Sequence, residues 1–119
     1  MTSENLGYVI KRETGIDPRS PEGMILFASL LGGDLDVVET FDVDWDPGDG
    51  HSRHRHNAGL AVAITGGSVT FGFRADRELV EARPGDYVLI GPGTLHDELT
   101  TEGVQMVGAH LGALETYDE

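Results

Sequence analysis

The segment Pro84-Gly-Asp-Tyr-Val-Leu-Ile-Gly-Pro-Gly-Thr-Leu-His96 leaves a Pro-Gly-Asp turn, crosses four apolar residues, enters a Gly-Pro-Gly turn and meets a histidine. A short apolar run closed by turn residues at both ends predicts a strand, because Gly supplies positive φ and Pro presets φ where the chain reverses. The same punctuation recurs upstream at Gly32-Gly33-Asp34, Pro47-Gly48-Asp49-Gly50 and Gly66-Gly67-Ser68. Between such turns lie the runs Met24–Leu31, Leu35–Val43, Leu60–Thr65, Val69–Phe73, Glu78–Glu81, Tyr87–Ile90 and Val104–Leu111. Regular short strands of this kind predict an all-β sandwich or barrel. Within Leu35–Val43, period-two alternation puts Leu35, Val37, Glu39, Phe41 and Val43 on one face. Met24–Leu31, followed by Gly32-Gly33, fits either a strand or a buried helix. Residues 1–22 contain Asp17-Pro18 and Ser20-Pro21 and read as a loose arm with at most one short strand at Gly7 to Ile10, leaving 23–119 as one domain.

A chain of 119 residues is about one domain in length. Its 39% hydrophobic content supports a packed core rather than disorder. The formal charge of -13 repels phosphate backbones and anionic membrane surfaces, so nucleic acid and membrane partners are set aside. Cysteine is absent, which removes disulfides, thiolate metal sites and cysteine nucleophiles and leaves His, Asp and Glu as metal ligands. No apolar run reaches membrane-spanning length and residues 1–11 lack a signal pattern, so a cytoplasmic protein is expected. Asp42-x-Asp44-x-Asp46 begins like a calcium loop, but Pro47 stands where that loop needs glycine and Arg53 where it needs glutamate.

Three of the five histidines fall in His51-Ser52-Arg53-His54-Arg55-His56, just after a turn. On a strand, His54 and His56 share a face and can offer two imidazoles to one cation. Two imidazoles are half a site, and the same letters also suit a solvated loop. His96, beyond the Gly-Pro-Gly turn, offers a third.

Taken together these segments resemble the cupin superfamily, whose first motif is Gly-x5-His-x-His-x3or4-Glu-x6-Gly and whose second is Gly-x5-Pro-x-Gly-x2-His-x3-Asn. Gly48-x5-His54-x-His56, closing at Gly67, matches the first, and Gly85-x5-Gly91-Pro92-Gly93-x2-His96 the second. The resemblance spans about residues 35–112. It implies a double-stranded β-helix, or jelly-roll, barrel, with a homodimer common among single-domain relatives. The departures are specific. The motif glutamate is replaced by Leu60, or by Ala61 in the longer variant, while Gly91 replaces a proline and Thr100 the terminal asparagine.

By resemblance, His54, His56 and His96 form a three-histidine site similar to that of cysteine-dioxygenase-like cupins, holding one divalent transition metal ion. Iron(II) is favoured, and imidazole equally serves manganese, nickel, zinc or copper. Glu98 shares strand parity with His96 and His51 lies close by, so either can complete the sphere, and both also suit solvent. His110 shares a face with Val104 and Met106, as an acid or base in the pocket or as a satisfied core histidine. Leu60, Val62, Phe71, Phe73, Val88 and Met106 are expected to wall the pocket. The function implied is a mononuclear non-heme metal enzyme, dioxygenase-like, acting on a small organic molecule. A Lewis-acid isomerase, lyase or cyclase, and a non-catalytic sensor or storage module for a ligand or metal, remain open, as does a cupin that has lost its metal with its glutamate.

Overall fold

The computed structural model describes residues 7–73 and 78–118. Among the described residues, ten strands form two five-stranded sheets. The first has the order β1 (Tyr8–Lys11), β7 (Tyr87–Ile90), β4 (Leu60–Gly67), β9 (Val104–Leu111), β2 (Val38–Trp45). The second has the order β10 (Thr116–Asp118), β3 (Gly50–His56), β8 (His96–Leu99), β5 (Val69–Phe73), β6 (Glu78–Ala82). Every pairing is antiparallel. The fold is therefore all-β, as the turns and short runs predict, and it is the jelly roll that the resemblance to cupins implies.

Strand β4 shows how one sequence serves two layers. Leu60, Val62 and Ile64 point between the sheets and join Val69, Phe71, Phe73, Val88, Ile90 and Met106. Ala61 and Ala63 point outward and are just as buried, under a helix. Burial on both faces is why Leu60–Ile64 is an unbroken apolar run without alternation.

That covering helix, α1 (Pro21–Leu31), settles the open reading of Met24–Leu31. Ser20-Pro21, a breaker in the sequence reading, is its start: the Ser20 hydroxyl accepts a hydrogen bond from the Gly23 amide at 3.0 Å, and Pro21 occupies the first turn, where a missing N–H costs nothing. Gly32 ends it at φ 74°, donating its N–H to the Ala28 and Ser29 carbonyls. Phe27 is fully buried against Ala61, Ala63, Val107 and Ala109, with its ring 5.2 Å from that of Tyr87. The small alanines on the outer face of the sheet let the helix approach.

The alternation expected from Leu35 is corrected in part. Leu35–Val37 is a 3-10 turn whose Leu35 and Val37 are exposed, and the strand runs from Val38 to Trp45. Ahead of the helix, β1 hydrogen-bonds to β7 of its own chain. The segment after β1 is tied by Asp86, a buried carboxylate that accepts from the Arg12 guanidinium at 2.9 Å and the Glu13 amide at 2.9 Å. Among the described residues, no helix is long and apolar enough to cross a membrane.

A candidate metal centre

Strands β3 and β8 lie side by side, and His54 stands directly opposite His96. His56 follows two residues on, on the same face. The ring centroids are 4.2 Å apart for His54 and His96, 4.9 Å for His54 and His56, and 5.2 Å for His56 and His96. All three side chains are buried. The structure thus brings together the three histidines singled out in the sequence, and this group could hold a metal ion.

Each ring is fixed from behind. His54 Nδ1 donates to the Ser52 carbonyl at 2.7 Å and His96 Nδ1 to the Thr94 carbonyl at 2.9 Å, while His56 Nδ1 pairs with the Thr116 hydroxyl at 3.0 Å. A carbonyl only accepts, so Nδ1 of His54 and of His96 carries a hydrogen, which leaves Nε2 of each ring as the inward nitrogen available to a metal. Outer hydrogen bonds of this kind orient imidazoles that ligate metals. The Nε2 atoms of His56 and His96 are buried with no hydrogen-bond partner. Buried polar atoms are rarely left so, because desolvation without a partner costs about 1–3 kcal/mol.

Glu98 sharpens the case. Its carboxylate is buried, with Oε2 at 3.1 Å from His96 Nε2 and 3.9 Å from His54 Nε2. The Glu98 carboxylate and the His96 ring nitrogen thus face each other at close range, and a cation among these donors would be held by both. Burial alone would raise the Glu98 carboxyl, but the imidazoles of His96, His54 and His51 hold it below the usual carboxylate range. Burial, then the neighbouring His96 and His54, push His56 down to about 4, which keeps its ring neutral and ready to ligate. A divalent transition metal fits these donors: three imidazoles and one carboxylate.

His51 also reaches this group, with Nδ1 3.4 Å from Glu98 Oε1. Period two would turn residues 51 and 54 to opposite faces. A register shift between them, three steps on β3 against two on β8, returns both to one face. That bulge is invisible in the sequence pattern. His110 is not brought in. It lies four residues past Met106, about 13 Å along the strand; its Nδ1 donates to the Gly112 carbonyl and its ring rests 5.9 Å from Phe41.

A cavity of about 220 Å³ opens beside the histidines. Leu60, Val62 and Met106 line it as expected, whereas Phe71, Phe73 and Val88 are packed into the buried core and lie outside its wall. Phe41, Val43 and Trp45 of β2 and Leu114 and Thr116 near the C-terminus complete it. Leu60, where the motif glutamate is missing, is therefore a piece of apolar wall, and the carboxylate enters from β8 instead. Among the described residues, no Lys or Arg lines the cavity.

The family model for the AraC-like ligand binding domain matches residues 43–106. No curated protein matches the chain in sequence. Among solved structures, a cupin superfamily protein of Desulfitobacterium hafniense is 16% identical, with 64% of this chain and 68% of that one covered at a TM-score of 0.57. The Mn(II)-containing oxalate decarboxylase of Bacillus subtilis is 16% identical, with 68% and 24% covered and a TM-score of 0.61. The salicylate 1,2-dioxygenase of Pseudoaminobacter salicylatoxidans, solved as a mutant in complex with gentisate, is 11% identical, with 95% and 29% covered and a TM-score of 0.61. This chain thus spans about a quarter of each enzyme, and these likenesses speak to the fold. With both motifs, the two-sheet jelly roll and a family model covering more than half its length, the chain belongs to the AraC-like ligand-binding domain family of the cupin superfamily.

Proposed function

We propose that the protein is a cytoplasmic, metal-dependent cupin in which His54, His56, His96 and Glu98 hold one divalent transition metal ion, iron(II) by preference, next to a cavity for a small organic molecule. The observation that carries this reading is the pair of buried, partnerless Nε2 atoms on His56 and His96. Bound there, the cation would supply Lewis acidity and, as iron, electron exchange with an organic ligand. The chain's own residues do the rest. Ser52 and Thr94 carbonyls hold two imidazoles in the ligating tautomer. Trp45, Phe41, Leu60 and Met106 exclude water and offer contact to a ring-sized apolar body. An engineered apolar cavity of about 150 Å³ accepts benzene, so this one suits a single substituted ring or a comparably small molecule.

The reaction class we favour is that of a mononuclear non-heme dioxygenase. A second reading, a ligand-binding module without catalysis, is favoured by the family match to a ligand-binding domain. Oxygen uptake by the Fe(II)-loaded protein with a panel of catechols, diketones and thiols separates the two. Consumption of oxygen with at least one class is expected. Ligand-dependent thermal shifts without oxygen uptake would contradict the dioxygenase and assign the protein to the binding reading. We further propose a homodimer, which light scattering on the purified chain tests by mass.

A further inference from the structure

We propose that His51, His54 and Glu98 form a second, outer cation site that captures a divalent metal ion and passes it to the inner histidines. The inference rests on the reading that His54, His56 and His96 hold an ion. The donor atoms of His51, His54 and Glu98 lie within 4.8 Å of one another, as do those of the inner trio. Two independent features set this outer group apart. The first is the bulge between His51 and His54, which spends one residue of β3 to turn His51 toward the site. The second is the division of the Glu98 carboxylate: Oε1 faces His51 at 3.4 Å while Oε2 faces His96 at 3.1 Å.

Exposure grades in the direction a captured ion would travel. The His51 side chain is 62% exposed, Glu98 8%, His54 4% and His96 0%. His51 and His54 also line a small hollow with Ser52, Thr116 and Asp118, next to the main cavity. The two groups share His54, whose single inward Nε2 serves one ion at a time, so the sites are alternatives rather than a dinuclear centre. Transfer then trades the His51 ligand for those of His56 and His96 while His54 and Glu98 stay bound, and no bare ion crosses the apolar wall. An exposed imidazole is also a fast first ligand on a surface whose net negative charge gathers cations.

The chain's one tryptophan supplies the readout, since the Trp45 ring lies 5.2 Å from His51 and lines the cavity. Stopped-flow quenching of Trp45 by Co²⁺ follows loading directly, and equilibrium titration gives stoichiometry and affinity. In the wild type the loading rate should saturate with Co²⁺ concentration, as capture precedes transfer. In His51→Gln it should rise linearly and be about tenfold slower at low Co²⁺, with final stoichiometry and affinity unchanged. Asp44→Asn removes an exposed charge next to Trp45 that lines neither hollow, and should load like the wild type. An unchanged rate in His51→Gln would overturn the proposal, as would equal slowing in Asp44→Asn, which would assign the effect to charge. A large loss of equilibrium affinity in His51→Gln would overturn it too, making His51 a resident ligand. A wild type that binds no Co²⁺ or Zn²⁺ would instead remove the inner site on which the proposal stands.

Discussion

His56 is the residue at which the site costs the fold most visibly. Its folded pKa is about 4 against 6.5 for a free side chain, chiefly through burial and then through His96 and His54. Between those values the unfolded chain binds the extra proton, so stability falls as pH drops from about 6.5 to about 4 and gains nothing further from this ring above 6.5. Metal-free protein should therefore show a lower urea midpoint at pH 4.5 than at pH 7.5, and His56→Gln should flatten part of that slope. Glu98 makes a second residue-scale prediction. Glu98→Gln keeps the shape and removes the charge, and calorimetric titration with Zn²⁺ should show affinity weakened by about 10–100-fold. The three histidines were legible from motif spacing alone. Glu98 was legible only as an alternative, because its inward turn depends on β8 pairing with β3, and Leu60 at the expected carboxylate position gave no hint of the strand that replaces it.

At the scale of the element, Thr100 shows how a departure from the motif is absorbed. It stands where the motif has asparagine, is buried, donates its hydroxyl to the Ser68 carbonyl at 2.7 Å and accepts from the Gly103 amide at 2.9 Å. One hydroxyl thus joins the turn after β8 to the turn between β4 and β5. Thr100→Val keeps the volume and strands two buried backbone groups, which should lower unfolding free energy by about 1–3 kcal/mol in denaturant titrations, without moving metal affinity. Helix α1 is the element that strand reasoning handled least well. Its apolar run is no longer than a strand's, and only the Ser20-Pro21 start and the Gly32 stop distinguish it. The bulge in β3 was illegible for a different reason, since an inserted residue leaves no trace in composition and inverts the parity on which inward and outward assignments rest. Strand β10, three exposed residues, offered no apolar pattern at all.

For the whole molecule, the charge of -13 constrains solubility and ion gathering more than it constrains the pocket, whose wall is mostly apolar. The N-terminal segment is integrated by Asp86, which also accepts the Arg83 amide at 3.0 Å and so ties the turn between β6 and β7 to residues 12 and 13. Asp86→Ala should cost about 3 kcal/mol and leave the Arg12 segment more open to proteolysis, with the histidine cluster retained. Two-sheet architecture was readable because turn residues recur at short intervals. The cavity was less so, since Phe41, Trp45, Leu114 and Thr116 reach it from strands and a terminal segment distant in sequence. The central claim is that His54, His56, His96 and Glu98 hold a divalent ion, and its most direct test is metal content and Zn²⁺ titration of chelator-free protein beside a folded His54→Ala/His96→Ala double variant. One tightly bound equivalent in the wild type and none in the variant is the predicted result. A wild type that carries no Fe, Mn, Ni, Zn or Cu, and gains no thermal stability from any of them, would contradict it.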